Sequence, residues 1–370
     1  MFEDDNMKAL AIKPGTKNSM HIEEIEKPKP EKDSVLIKVL RVGVDGTDKE
    51  LISAEYGDAP KGFNFLITGH ESLGRIEEVG SNVSGFKKGD LVVPTVRRPL
   101  GHSKFDEIGW CDFTTENVYY ERGINLLHGY LTEYIVEKPA FLTKIPEDLK
   151  EIAVLLEPTS IVEKGISQAY EIQKRMKVWE PKTAAIFGAG TIGLLASMIL
   201  RLKGLDVHVF ARSKPPTINS DLLAELGARY HSLRLETIDQ VVEEIGNFDI
   251  VIEATGYSPN VFVGMNILAK NGIEILTSVT GGDKKIEVQS DKINLDFVLG
   301  NKTMFGTVNA NIDHFRMGVK DYALAEQKYP GWLKKLLTHP VKGLENYQQM
   351  VDLLFNGENT IKVFIEINPL

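Results

Sequence analysis

Between Thr183 and Leu195 the chain reads Thr-Ala-Ala-Ile-Phe-Gly-Ala-Gly-Thr-Ile-Gly-Leu-Leu, and an apolar helical pattern continues through Leu202. The spacing of Gly188, Gly190 and Gly193 is that of a turn that cradles a pyrophosphate. Gly188 supplies the tight backbone angles and Gly190 lets an anion approach the main chain. Gly193 lets the helix pack close to the strand, and the N–H groups of Ala189, Thr191 and Ile192 face the ligand. A lone GxGxxG is weak evidence, but here it joins an apolar strand to a helix, the context that a dinucleotide site requires. Cofactor choice is read at the end of the following strand. An acidic residue there would bond ribose hydroxyls; this chain has Ala211-Arg212-Ser213-Lys214. A guanidinium grips a 2′-phosphate through charge-assisted bonds and Ser213 adds another, so NADP is expected, with NAD as a second cofactor. The alternative is an arginine exposed on the surface with nothing to hold.

These groups need elements to carry them. Val207–Ala211, Phe248–Thr255 and Ile273–Val279 read as strands alternating with helical stretches, which predicts a parallel sheet covered on both faces. Before it, Ala9–Ile12, Val35–Val39 and Leu91–Val93 are β-rich runs broken by Pro, Gly and Asp, the pattern of a small, bent β domain. Pro94–Tyr130 shows no sustained period, a long segment of the kind that is often functional. Leu131–Val136 returns to strand, and 152–176 is helical with an interruption expected at Pro158. Helical stretches around Phe315–Leu324 and Leu344–Leu354 precede a last strand, Ile361–Ile367, which is expected to rejoin the first domain. The expected division is residues 1–180 with 309–370 as one domain and 181–308 as the nucleotide-binding one.

Two further segments carry chemistry: Gly43-Val-Asp45-Gly-Thr47-Asp48, and Gly69-His70-Glu71 continuing to Gly80. With the glycine turn they resemble the zinc-dependent medium-chain dehydrogenase/reductase family. The likeness to its archaeal-type glucose dehydrogenase branch rests on Tyr120-Glu121-Arg-Gly-Ile124, Leu156-Glu157-Pro158 followed by Glu163-Lys164, and Gly306-Thr-Val-Asn309, all in order along the chain. The resemblance implies a GroES-like catalytic domain joined to a doubly wound Rossmann domain. It implies one catalytic zinc held by Asp45, His70 and Glu71, with Glu157 a ligand directly or through water. Imidazole nitrogen and carboxylate oxygen are both zinc donors, and a catalytic site keeps one position open. Most of the family has cysteine at Asp45; a carboxylate keeps the negative charge but is a harder ligand. The alternative has Asp45 capping a turn and Glu71 as a solvated strand residue.

The same resemblance puts Thr47, Glu121, Glu157 and Asn309 near the substrate, with Asn309 also near the nicotinamide. Thr47 would hydrogen-bond the reacting oxygen and pass its proton outward, beside Glu157 as the second catalytic group. Two family positions differ: Leu299 replaces a substrate histidine and Val96 an asparagine, which leaves the preferred sugar open. Many relatives bind a second zinc through four cysteines after Arg97-Arg98. Here only Cys111 remains, so no structural zinc is expected, and Phe105, Trp110 and Phe113 are candidates to pack that lobe. His102, Asp106 and Cys111 read as loop residues.

The 370 residues and 42% hydrophobic content support two domains. A formal charge of −9 argues against nucleic-acid and membrane surfaces. The single cysteine and a start lacking the layout of a signal peptide point to the cytoplasm. The expected activity is a glucose 1-dehydrogenase that prefers NADP. The alternatives are a polyol or alcohol dehydrogenase of the same family, or a metal-free NADPH-binding protein. A homodimer or homotetramer is expected, paired through Ile273–Val279 as the edge strand.

Overall fold

The computed structural model describes residues 6–370, which divide into two compact units. The first comprises residues up to 160 with 309–322 and 333–370; the second comprises 161–308 with 323–332.

In the first unit, Val35–Val44 is the organising strand. It is apolar along its whole length and buried on both faces at most positions. It pairs antiparallel with Glu71–Val79 on one side and Val363–Glu366 on the other, and Tyr134–Glu137 also pairs with it. Register shifts after Leu36 and Val39 bend it, so one strand serves more than two partners. Beyond Glu71–Val79 lie Leu91–Pro94 and Leu142–Ile145, and beyond Val363–Glu366 lies His339–Lys342. The C-terminal strand thus returns to the first unit. Leu10, Ile37, Val39, Leu131, Val363 and Ile365 belong to the core beneath the sheet. Within Pro94–Tyr130 only short pieces form, including the antiparallel pair Arg97–Arg98 and Tyr120–Arg122, which sets Arg97 directly opposite Glu121.

The second unit is a six-stranded parallel sheet. Its order is Arg229–Ser232, Asp206–Ala211, Thr183–Phe187, Phe248–Glu253, Leu268–Leu276, Thr303–Gly306. This is the doubly wound arrangement that binds dinucleotides where the strand order reverses, at Thr183–Phe187. Ala185, Phe187, Val251 and Leu268 fill one core cluster.

Two expectations need correction. Ile273–Val279 is not an edge: Leu268–Leu276 has neighbours on both sides, and Thr303–Gly306 is the outer strand. Four residues, Thr-Met-Phe-Gly, are too few to display a strand period. Pro158 does not interrupt a helix either. A 3₁₀ turn at Ala153–Leu155 leads into the helix Leu156–Gln173, and Pro158 sits in its first turn, where an N–H has no intrahelical acceptor to meet. No helix among the described residues is long and apolar enough to cross a membrane.

Candidate active site

The strand Val35–Val44 runs directly into Asp45, where the chain turns into the helix Gly46–Ile52. Asp45 is the N-cap. Its Oδ1 accepts the Thr47 N–H at 2.8 Å, and its own N–H donates to Asp48 Oδ2 at 3.0 Å, a reciprocal capping box. The capping alternative for Asp45 is therefore present. His70 precedes the strand Glu71–Val79, and its Nε2 lies 3.8 Å from Asp45 Oδ1 while its Nδ1 lies 4.0 Å from Asp48 Oδ2. Both distances are too long for hydrogen bonds. Ligand atoms of Asp45, Asp48 and His70 fall within 4.8 Å of one another, as do those of His70, Glu71 and Glu157. Glu157 arrives from the first turn of Leu156–Gln173 and is buried.

Glu71 is fully buried, not solvated, and both of its oxygens lie 2.6 Å from Lys362 Nζ. Its carboxylate is thus engaged by an ammonium inside the same cluster. Asp48 and Lys362 have no assigned role in the sequence reading. Asp48 carries a local signal, an acid three residues after a capping acid. Lys362 carries none, since one lysine in an apolar strand usually points to water.

The electrostatics follow from gathering four carboxylates, three of them buried and Asp45 partly exposed, around one imidazole. Burial opposes a charge on His70, yet Asp45, Glu157, Asp48 and Glu71 outweigh it and push the imidazole up to about 9. Burial pushes Glu157 up to about 8, with Glu71 and Asp45 adding to it. Burial likewise lifts Asp48 to about 7. Asp45 is held below the ordinary carboxylate value because His70 and Lys362 overcome its burial. Four carboxyl groups and one imidazole within a ligand's reach, too crowded for every acid to ionise without a cation, suit a divalent cation such as zinc. Two buried atoms without a hydrogen-bond partner, His70 Nδ1 and Asp48 Oδ1, belong to the same cluster. The residues present fit the metal.

A second cluster in this unit surrounds Glu121, which is buried. Its Oε1 accepts from Arg97 Nε at 3.1 Å, Arg97 Nη2 at 2.7 Å and Asn309 Nδ2 at 2.7 Å. The structure thus brings Glu121 and Asn309 together, and it adds Arg97. In the lobe between them Cys111 is buried, donates to the Arg97 carbonyl at 3.4 Å, and has its thiol pushed up to about 11 by burial. Asp106 accepts the Leu100 and Gly101 N–H groups, and Phe113 packs against Phe105 and Trp110.

In the second unit the glycine turn lines a cavity of about 840 Å³ together with Arg212, Ser213, Asn219, Tyr230 and Thr255. Gly188 has φ +103°, a left-handed angle, and a Cβ at Gly193 would stand 2.0 Å from the Gly188 carbonyl oxygen. No side chain caps the helix Thr191–Leu202 at Gly190, so its start is open to an anion. Asn219 Nδ2 donates to the Ala189 carbonyl at 2.6 Å and the Tyr230 hydroxyl to the Ser213 carbonyl at 2.8 Å, which tie the turn and the Arg212 segment to the scaffold.

The chain matches two families along its length: residues 31–147 the alcohol dehydrogenase GroES-like domain, and residues 150–367 the glucose dehydrogenase C-terminus. It is 41% identical to a glucose 1-dehydrogenase of Methanocella arvoryzae over 98% of this chain and 99% of the relative. A glucose 1-dehydrogenase of Thermoproteus tenax is also 41% identical, over 93% and 95% of the two chains. Among solved structures, Haloferax mediterranei glucose dehydrogenase in complex with NADP, zinc and gluconolactone superposes with a TM-score of 0.88 at 33% identity, covering 98% of this chain and all of the other. A bent β unit with a buried imidazole–carboxylate cluster, a doubly wound nucleotide unit and likeness over nearly the full length agree: the chain belongs to the glucose dehydrogenase branch of the medium-chain dehydrogenase family, and is an oxidoreductase.

Proposed function

We propose that this protein is an aldose 1-dehydrogenase that oxidises the C1 hydroxyl of glucose to the lactone, with zinc and with a preference for NADP. The observation that carries the reading is the pairing, within one unit, of two metal-ligand groups that share His70 (His70 with Glu71 and Glu157, and His70 with Asp45 and Asp48) with the cluster at Glu121 and Asn309. Zinc would supply a Lewis acid at the C1 oxygen, and NADP the hydride acceptor. The chain's residues do the rest. Asp45, His70 and Glu157 would hold the ion; Glu71, expected as a ligand from the sequence, has both oxygens engaged by Lys362 Nζ. Thr47, half-buried in the first turn beside Asp45, takes the proton of the reacting hydroxyl outward. Glu121 and Asn309 orient the ring through its other hydroxyls, and buried acceptors of this kind penalise a substrate that leaves them unpaired. Gly188–Gly193 hold the pyrophosphate, and Arg212 with Ser213 hold the 2′-phosphate.

The assembly we infer is a homodimer or homotetramer joined through the nucleotide unit. Leu295, Val298 and Leu299 are more than half exposed on the helix Ser290–Gly300, next in sequence to the outer strand Thr303–Gly306, and apolar surface of that extent supports a partner copy. The single cysteine supports a cytoplasmic location.

The test is steady-state turnover of glucose, galactose, xylose, sorbitol and ethanol with each cofactor, on protein of measured metal content. Glucose or another aldose with NADP is expected to lead, at about one zinc per chain. Sorbitol or ethanol outperforming every aldose would replace this reading with that of a polyol or alcohol dehydrogenase.

A further inference from the structure

The glycine turn and Arg212 account for the phosphates of a dinucleotide, and neither meets its base. With the 2′-phosphate on Arg212, the ribose that bears it keeps the adenine within the same cavity. Four aromatic residues line that cavity: Phe187, Phe210, Tyr230 and Tyr257. Phe187 and Phe210 are each 1% exposed and pack on one another, with ring centroids 5.7 Å apart. The Tyr230 hydroxyl is committed to the Ser213 carbonyl. Tyr257 is different: it is 52% exposed, and no other ring packs on it among the described residues.

The chain fixes Tyr257 from several sides. Just past the strand Phe248–Glu253, the Thr255 N–H donates to the buried Glu253 Oε1 at 2.8 Å, and the Thr255 hydroxyl bonds the same atom. Thr255 Oγ1 in turn accepts the Tyr257 N–H and Asn260 Nδ2, both at 3.0 Å. Between Thr255 and Tyr257, Gly256 takes φ +69°, a left-handed angle that turns the chain sharply. This elbow adjoins the phosphate turn, since a Cβ on Gly188 would lie 2.9 Å from the Ala254 carbonyl oxygen. The segment after Leu268–Leu276 braces it from the side. Thr280 Oγ1 donates to the Gly256 carbonyl at 2.9 Å, and a Cβ on Gly256 would meet the Val279 carbonyl oxygen at 3.8 Å. Four residues on, Lys284 Nζ stands 4.1 Å from the centre of the Tyr257 ring. That is a cation–π contact, inside the range of about 6 Å over which a ring attracts an ammonium. Lys284 makes no ion pair among the described residues, so the ring holds it and not a carboxylate. An ammonium occupies one face of a ring and leaves the other to a ligand.

We propose that Tyr257 is the stacking platform for the adenine of the bound dinucleotide and that Lys284 is its positioning residue. The ammonium holds one face of the ring and sets its tilt, and the adenine lies on the other face. This rests on the nucleotide-binding part of the reading above and on nothing about the sugar. Stacking uses the face of the base, so Tyr257 is blind to the 2′-phosphate. It adds affinity to NADP and NAD alike, whereas Arg212 separates them. Lys284 acts through the ring and touches no phosphate.

The test measures dissociation constants by titration calorimetry for NADP, NAD and nicotinamide mononucleotide, which lacks the adenosine half. The proteins are wild type, Tyr257→Phe, Tyr257→Leu, Lys284→Met and the double variant Tyr257→Leu/Lys284→Met. Tyr257→Leu is expected to weaken NADP and NAD by the same factor, roughly fivefold to hundredfold, as for the loss of one base–aromatic stack. Nicotinamide mononucleotide should stay within about twofold, since its site is independent of the ring. Tyr257→Phe keeps the ring and should stay within about twofold of wild type on all three ligands. Lys284→Met should weaken both dinucleotides by roughly twofold to fivefold, the worth of an exposed cation–π contact. In the double variant it should add nothing, because the ring through which it acts is gone. Both side chains are exposed, so each variant is expected to unfold within about 2 °C of wild type, and a change in affinity then does not come from lost stability. A Tyr257→Leu protein that binds NADP as wild type does, or that loses the mononucleotide as much as the dinucleotides, overturns the platform. A loss in the double variant equal to the product of the two single losses overturns the positioning role of Lys284 and makes it a phosphate contact. A wild type that binds neither dinucleotide overturns the nucleotide reading itself.

Discussion

Removing Lys362 is the sharpest perturbation of the metal-ligand cluster. Its ammonium sits 2.6 Å from each Glu71 oxygen and 3.4 Å from the Val44 carbonyl, with Glu71 fully buried and Lys362 2% exposed. At an effective dielectric of about 20 the attraction across 2.6 Å is about 6 kcal/mol, most of it offset by the desolvation of both groups. Lys362→Met leaves a carboxylate buried without its cation, which typically costs about 3–5 kcal/mol. The variant has one escape, because Glu71 can take up a proton. Burial already raises its pKa against the pull of Lys362. Protonating a carboxyl of unfolded pKa about 4.5 at pH 7 costs about 3.4 kcal/mol, and at pH 5 only about 0.7 kcal/mol. The loss in metal-stripped protein should therefore be about 3 kcal/mol at pH 7 and about 1 kcal/mol at pH 5. The sign follows from linkage: the native variant binds a proton that the unfolded chain does not, so the variant loses stability as pH rises. Urea unfolding followed by circular dichroism at both pH values measures it, with Glu71→Gln/Lys362→Met expected to recover most of the loss at pH 7. A loss below 1 kcal/mol at pH 7, or an equal loss at both pH values, would refute the reasoning.

Three further outcomes are expected. Asp45→Asn keeps a good helix cap but removes the charge, so the melting temperature of metal-free protein should stay within about 2 °C while zinc retained after dialysis falls at least tenfold; parallel loss of both would mean that the cap dominates at Asp45. Arg212→Ala should weaken NADP by roughly 1.5–3 kcal/mol and leave NAD nearly unchanged, measured by fluorescence titration of each cofactor. Burial, with Arg122 adding to it, lowers His128 to about 4, and its Nδ1 accepts the Ile67 N–H at 3.2 Å, so the folded protein keeps this imidazole neutral. Its contribution is present above the unfolded pKa near 6.5 and is lost as pH falls toward 4; after discounting for partial exposure the loss is roughly 1–2 kcal/mol, and His128→Asn should flatten that part of the stability–pH curve.

What could be read in the sequence was what short-range pattern encodes. The glycine turn, the alternation of strands and helices, and the acids and histidine of Gly43–Asp48 and Gly69–Glu71 all sit in local runs whose spacing has a physical meaning. Lys362 and Arg97 could not be found this way. Each meets its partner through long-range pairing: Lys362 reaches Glu71 across 291 positions, and Arg97 faces Glu121 only because two short strands align. The mistaken edge has the same cause. Thr303–Gly306 gains its place from pairing with Leu268–Leu276, which no window of four residues reveals. At Val96 the sequence was informative in a negative way: the side chain is 2% exposed and apolar, so a hydroxyl contact that an asparagine would make is absent from that position.

The proposed double duty of Asp45, helix cap and metal ligand, would account for an acid where most of the family has cysteine. The helix Gly46–Ile52 is only seven residues long, too short to hold its first turn without help. A side-chain oxygen at its N-cap satisfies the Thr47 N–H, a bond that the larger, weakly accepting sulfur of cysteine makes poorly. The same oxygen lies on the His70 side, and Asp48 completes the box from the other direction, so the cap fixes the rotamer that a ligand requires before any ion arrives. A carboxylate held this way gives up part of its electron density to an N–H and is harder than a thiolate, which lowers affinity for zinc relative to other divalent ions. In exchange the carboxylate proposed as ligand is preorganised, because the capping box sets its position at the helix start.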